Sequence, residues 1–127
     1  MKNFTVKQLK KMWIDFYKSH DHKQIEDSSL VPENDNSVLF TTAGMQPLIP
    51  YLLGKPHPLG KRLFNVQRCL RTNDIESVGD ANHFTFFEML GRWSLGDYFK
   101  DYAIKSTYEF LTSKDYLDLP LDRLAVT

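Results

Sequence analysis

The chain carries one cysteine, Cys69, in 127 residues, so no internal disulfide staples it and packing alone must hold the fold. It has no apolar run near the roughly 20 residues that span a bilayer. Its opening segment, Met1–Lys7, lacks the apolar core of a secretory signal. These absences fit a reducing compartment and predict a cytoplasmic protein. An excess of either charge is also missing: 16 Lys and Arg balance 16 Asp and Glu, which argues against a non-specific coat on nucleic acid or a membrane. Neither glycine-rich phosphate loop occurs, since there is no G-x-x-x-x-G-K-[ST] and no G-x-G-x-x-G. His20, His22 and His57 show no zinc-ligand spacing with Cys69, so no metal site is expected in the chain. There is no internal repeat or low-complexity tract, and the length suits one domain with a core of its own.

What is present in excess is aromatic. His83-Phe84-Thr85-Phe86-Phe87-Glu88-Met89-Leu90-Gly91 continues through Trp93 to Gly96-Asp97-Tyr98-Phe99. A plain core strand needs no such mixture of rings, His, Glu and Gly. The floor of a ligand site needs flat rings, a few polar anchors, and glycine where another group comes close. Charge changes sign just before it. Lys55, Lys61, Arg62, Arg68 and Arg71 fall in a stretch with no acid, while Asp74, Glu76, Asp80 and Glu88 fall in one with no Lys or Arg. A basic strand that reverses through an acidic loop into an aromatic strand suggests a polyanion held beside a metal ion.

The periodicities place these segments. Thr5 and Gln8 have capping-box spacing, and Val6, Leu9, Met12, Trp13, Phe16 and Tyr17 form the apolar stripe of a helix ending near Ser19–Asp21. Asp27–Ser37 is turn-rich. Ser37–Thr42 reads as a strand, and Pro47–Leu53 as a short helix stopped by Gly54. Arg62–Arg71 alternates: Phe64, Val66 and Leu70 form an apolar face, and Asn65, Gln67, Cys69 and Arg71 a polar working face. Thr72–Asn82 is a long loop, a kind that is usually functional or mobile. His83–Leu95 is the returning strand, with His83, Thr85, Phe87 and Met89 on one face and Phe84, Phe86 and Leu90 turned inward. Tyr98–Ser113 is a second helix burying Phe99, Ala103, Ile104, Tyr108 and Leu111. Leu119–Thr127 reads as a turn into a strand that has barely begun, which points to a piece of something longer.

On residues alone the hairpin admits two readings. Arg71 is either a surface charge or a fork for phosphate. Phe87 is either core or a platform for a base, and His83 either structural or a polar anchor. Asp74, Glu76 and Asp80 are either solvated loop charges or holders of Mg²⁺. Taken together the second set describes a nucleoside triphosphate site without a P-loop.

Four segments carry a resemblance. Asp27-Ser-Ser-Leu-Val-Pro32, Leu39-Phe-Thr-Thr-Ala-Gly-Met45, Asn73-Asp-Ile-Glu-Ser-Val-Gly79 and His83-Phe-Thr-Phe-Phe-Glu-Met-Leu-Gly91 through Lys100 closely resemble the start of the alanyl-tRNA synthetase family, in the same order. The resemblance implies an α+β fold, a class II aminoacyl-tRNA synthetase antiparallel sheet flanked by helices, incomplete here. It implies ATP-dependent activation of alanine to alanyl-adenylate and transfer to tRNA(Ala), with ATP and Mg²⁺ as cofactors and no membrane partner. The first helix and Ser37–Thr42 resemble motif 1 of that class, and the hairpin resembles motif 2. By that match Arg71 would grip the α-phosphate and the alanine carboxylate. His83 would meet the outer phosphates, Phe87 would stack on adenine, and Met45 would line the alanine pocket. Asp74 sits in the loop that meets ATP or the tRNA acceptor end.

The chain departs from the commoner family pattern. Arg71-Thr-Asn-Asp-Ile-Glu lacks a Gly-Gly-Lys-His insert, and Asn82 stands where Arg often precedes the His. Arg92 stands where Asn is usual, as a replacement charge or as cover for a sheet edge. Asp21 replaces a helix-ending Gly. Motif 3, the tRNA-recognition region and the zinc-bearing editing region fall outside residues 1–127, so the chain is expected to be the opening portion of the catalytic domain and inactive alone. Two rival functions remain: a non-catalytic synthetase-like module binding nucleotide, tRNA or a partner, and an adenylate-forming relative for another amino acid.

Overall fold

The computed structural model describes residues 3–33 and 35–127. Met1, Lys2 and Asn34, the last within the turn-rich Asp27–Ser37 segment, lie outside the described residues. Helix α1 (Val6–Ser19) starts where the capping box requires. Gln8 N–H donates to Thr5 Oγ1 at 3.2 Å, and Thr5 N–H donates to Gln8 Oε1 at 2.9 Å, satisfying two donors that the first turn would leave bare. The chain leaves the helix through Asp21 at φ 58°, a left-handed conformation that a short polar residue tolerates. Strand β1 (Lys23–Gln24) follows directly and runs parallel to β2 (Arg62–Leu70). Strand β3 (Phe86–Ser94) returns antiparallel to β2, from Arg62 opposite Ser94 to Leu70 opposite Phe86. The three strands form one mixed sheet in the order β1-β2-β3. A 3₁₀ turn at Gln46–Leu48 runs into the single-turn helix α2 (Ile49–Leu52), and the chain leaves it through Gly54 at φ 109°. Helix α3 (Lys100–Thr112) completes the α+β arrangement.

The core is an aromatic cluster of Trp13, Phe16 and Tyr17 from α1, Phe64 from β2 and Phe110 from α3. Phe16 lies at its centre, with ring centroids 5.1 Å from Phe110 and 4.7 Å from Tyr116. Val66 and Leu90 pack against the cluster from the sheet. Each fully buried ring of this size contributes about 1.5–3 kcal/mol.

Several expectations need correction. Ser37–Thr42 forms no strand. Its one backbone hydrogen bond to the sheet is made by Thr41, whose carbonyl accepts from Leu70 N–H while its own N–H donates to Leu30 O in the neighbouring loop. This is a crossing point rather than a ladder, and Leu39 is left 83% exposed. Strand β3 starts at Phe86, not His83. Phe84 and Phe86, expected inside, are 71% and 52% exposed. The reason is reach: α1 is tied to β3 by the Lys10–Glu88 ion pair at 2.9 Å, and Phe86 lies one pleat beyond it on the same face.

Helix α3 keeps only part of its expected inner face. Leu111 packs against the core as expected and Ser106 and Phe110 are buried, whereas Phe99, Ile104 and Tyr108 are exposed. Phe110 docks edge-on to Trp13, 5.3 Å between centroids, and the small Ser106 sits against Tyr17, so fit to α1 outweighs hydrophobicity. The Leu119–Thr127 segment makes a 3₁₀ turn at Leu121–Arg123 and no strand, for it has no neighbour to pair with among the described residues.

Candidate active site at the open end of the hairpin

Pairing of β2 with β3 runs one step past the strands, where Arg71 N–H donates to Thr85 O at 2.9 Å. That bond holds Arg71 and Phe87 side by side, with the guanidinium carbon 5.2 Å from the ring centre of Phe87. Arg71 Nε donates to the Thr42 carbonyl at 3.0 Å, so the side chain is anchored at its neck. Its terminal nitrogens have no partner among the described residues. The 72–85 connection makes a 3₁₀ turn at Ile75–Ser77 and passes through Gly79 at φ 122°. It then closes on Asp80, whose Oδ1 accepts from the backbone N–H groups of Asn82 (2.8 Å) and His83 (2.7 Å). Its Oδ2 lies 2.6 Å from His83 Nδ1.

These residues surround a cavity of about 270 Å³ lined by Arg71, Asp74, His83, Phe84 and Phe87, with Val78 and Asn82. The structure thus brings together Arg71, Asp74, His83 and Phe87. It adds Phe84, expected in the core. One cation fork, one imidazole and two flat rings suit a phosphate beside a base. The volume falls below the roughly 300–1,000 Å³ of ligand pockets, so this cavity has room for part of a nucleoside triphosphate and not for the whole. A larger hollow of about 900 Å³ lies elsewhere, between the 27–37 loop and the 46–55 segment. Its charged lining is Asp27, Glu33 and Asp35 against Lys55, which repels a polyanion, and the smaller cavity is the better match to the chemistry.

The polar face of β2 is not an open working surface. Asn65, Gln67 and Cys69 are 2%, 0% and 0% exposed. Gln67 Oε1 accepts from Ser28 N–H at 2.8 Å, and Gln67 Nε2 donates to Ser28 O at 3.0 Å, so one amide does for the 27–33 loop what a neighbouring strand would do. Trp93 Nε1 donates to Asn65 Oδ1 at 3.0 Å. The indole lies across Gly91, where any Cβ would sit 2.7 Å from a Trp93 ring carbon. Gly44 closes over the same rings. Burial pushes the Cys69 thiol upward, which removes it as a nucleophile.

Other expected residues lie apart from the cavity. Met45 is 49% exposed and does not line it, although it follows Thr42 by three residues. Arg92 lies near the far end of β3, opposite Phe64. Its Nη2 donates to Ala103 O (3.0 Å) and Thr107 Oγ1 (2.9 Å), so it tethers α3 to the sheet. Of the basic stretch, Arg62 pairs with Asp97 and Arg68 with Asp27, and only Arg71 lines the cavity. Among the acids, Glu88 is paired with Lys10 and Asp80 with His83. Among the described residues no group of three or more His, Cys, Asp or Glu is arranged to hold a metal ion.

A family model described as "tRNA synthetases class II (A)" matches residues 8–127. The chain belongs to this family. Alanine–tRNA ligase of Treponema denticola is 60% identical over 126 residues, 99% of this chain and 21% of that protein. Alanine–tRNA ligase of Borreliella burgdorferi is 63% identical over 123 residues, 97% of this chain and 21% of the relative. The namesake of Rubrobacter xylanophilus is 47% identical over 127 residues, 100% of this chain and 14% of the relative. This synthetase chain therefore spans about a fifth of the length of the Treponema and Borreliella relatives it matches.

One contributor escaped the sequence reading, and one was read for another role. Thr42 acts through its carbonyl, for which no side-chain signal exists. Asp80, read as a loop charge or a Mg²⁺ holder, instead caps its own turn, as an Asp two residues before Asn82 and three before His83 is placed to do.

Proposed function

We propose that residues 1–127 are the N-terminal portion of the aminoacylation domain of an alanine–tRNA ligase, carrying motifs 1 and 2. The longer protein activates alanine with ATP, forming alanyl-adenylate as pyrophosphate leaves, and passes the alanyl group to the 3′ end of tRNA(Ala) as AMP leaves, working in the cytoplasm. The observation that carries this reading is the identity to alanine–tRNA ligases across nearly the whole chain, together with the convergence of Arg71, His83 and Phe87 on one cavity.

In this reading attack by the alanine carboxylate on the α-phosphorus builds negative charge on the phosphate oxygens. A fixed guanidinium is worth most there, because it needs no reorganisation as the charge grows. Arg71 is held at Nε by Thr42 and by its stacking on Phe87, so its terminal nitrogens are ready for the α-phosphate and the carboxylate. His83 meets the outer phosphates. Phe87 takes adenine on the ring face that Arg71 does not cover. Met45 walls the alanine pocket, and Asp74 meets ATP or the acceptor end. Arg92, committed to α3, leaves the phosphates to Arg71 and His83. Mg²⁺, when bound with ATP, neutralises phosphate charge. The cavity's small volume fits a half-site completed by the remainder of the longer protein.

The test is amino-acid-dependent ATP–pyrophosphate exchange by the intact gene product, with alanine, glycine and serine compared. Exchange driven by alanine above the other two is expected. Exchange driven by another amino acid would move the protein to a different specificity, and none at all would favour a non-catalytic module.

A further inference from the structure

We infer that Asp80 is a positioning residue that decides which nitrogen of His83 meets a nucleotide phosphate. This rests on the reading of His83 as a phosphate contact. One carboxylate organises the end of the loop. Its Oδ1 accepts two backbone N–H groups, from Asn82 and His83, and its Oδ2 lies 2.6 Å from His83 Nδ1. Those donors hold the Asp80 carboxyl below its usual range, the Asn82 backbone N–H foremost, so it is ionised at neutral pH.

An ionised carboxylate only accepts hydrogen bonds. His83 Nδ1 must then carry a proton and donate it to Asp80. The nitrogen left for the cavity is Nε2, which has no partner among the described residues. His83 lines that cavity with Arg71 and Asp74, the charged groups that share it. A free imidazole interchanges tautomers and flips its ring; here a single side chain, anchored by its own turn, settles both. The same logic orients metal-binding histidines through the nitrogen they do not use.

A proton balance follows. With Nδ1–H committed to Asp80, neutral Nε2 presents a lone pair, which repels a phosphate oxygen. Contact therefore requires a second proton, taken from solvent onto Nε2, and leaves an imidazolium between two anions, the Asp80 carboxylate and the phosphate. Contact with phosphate through Nε2 therefore belongs to the imidazolium form of His83.

The experiment uses the intact gene product and an α,β-methylene analogue of ATP. Titration calorimetry at pH 8, in two buffers of different ionisation enthalpy, gives affinity and protons taken up together. Asp80→Asn keeps an oxygen for the backbone N–H groups but turns an amide N–H₂ toward Nδ1. Affinity is expected to fall about tenfold, the scale of losing a partner that orients a histidine, and proton uptake to fall with it. Asp80→Glu should restore part of both. In a His83→Ala background, Asp80→Asn should change neither. If His83→Ala weakens binding while Asp80→Asn leaves affinity and uptake as in the parent, Asp80 does not position the ring. If His83→Ala itself has no effect, the reading of His83 is wrong. Should Asp80→Asn fail to fold, Asp80→Ser, which keeps a backbone cap and cannot reach Nδ1, decides the matter in the same assay.

Discussion

At the Arg62–Ser94 end of the hairpin the aromatic rings are covered, and at the Leu70–Phe86 end they stand in solvent. Phe64 is 0% exposed and Phe86 is 52% exposed, although both lie on the face of the sheet that α1 crosses. The difference is made by the helix. It covers Phe64, Val66 and Leu90 and ends its reach at Glu88 through Lys10. Beyond that ion pair the same residue type changes its work. Phe64 and Phe16 bury area, while Phe84 and Phe87 line a cavity with Arg71 and His83. Aromatic identity does not decide between core and site; the extent of the covering layer does.

The sharpest way to break this comparison is at the covered end. Phe16→Ala removes the centre of the cluster and should cost about 3–5 kcal/mol of folding stability, read by denaturant unfolding. A loss below about 1 kcal/mol would mean that the cluster does not carry the fold. At the open end the dominant effect should be on chemistry. Arg71→Ala in the intact protein should lose at least about 2 kcal/mol of transition-state stabilisation in pyrophosphate exchange with circular dichroism unchanged, and near-normal exchange would remove Arg71 from the mechanism.

A graded effect belongs to the covered end again. His22 is 3% exposed. Its Nδ1 donates to His20 O at 2.7 Å, so its Nε2 accepts from the Tyr98 hydroxyl at 2.7 Å. Burial, foremost, pulls its pKa below the ordinary 6.5, so the unfolded chain takes up the proton first. Stability from this site is therefore full above about 6.5 and lost progressively as pH falls from there toward the folded value. Thermal melts between pH 7.5 and 5.5 should show the decline, and His22→Gln should flatten it. The smallest expected effect is Phe86→Thr, within about 0.5 kcal/mol because the ring is already exposed; a loss above about 2 kcal/mol would show that the open end is covered after all.

The parts legible in the sequence are those whose causes are local. Helix α1 is written in a capping box and a stripe over fourteen residues, and the left-handed exit at Asp21 is tolerated by that residue itself. Arg71, His83 and Phe87 were legible as a set because strand alternation and a matched motif place them on one hairpin. What failed required knowledge of a partner. Ser37–Thr42 has the composition of a strand, but a strand exists only where a neighbour offers consecutive hydrogen bonds, and Thr41 alone meets one. In α3 the apolar stripe through Ile104 and Tyr108 looked like the inner face, yet Phe110 and Ser106 fit the shape of α1 better. The polar face of β2 looked solvent-facing because amides prefer water. The 27–33 loop and Trp93 supply the partners that let Asn65 and Gln67 go inside.

Gln67 has a mechanical consequence. Its amide grips both the N–H and the carbonyl of Ser28, so the loop and strand β2 translate together. A shear of β2 by one residue would turn that amide to the opposite face and leave two partly buried peptide groups without partners. The grip works as a detent: small elastic displacements of the hairpin are permitted, and a slip of register is blocked. Four residues further along the chain, one step past the end of the strand, stands Arg71, whose position along the strand axis is thereby indexed from a point outside the cavity.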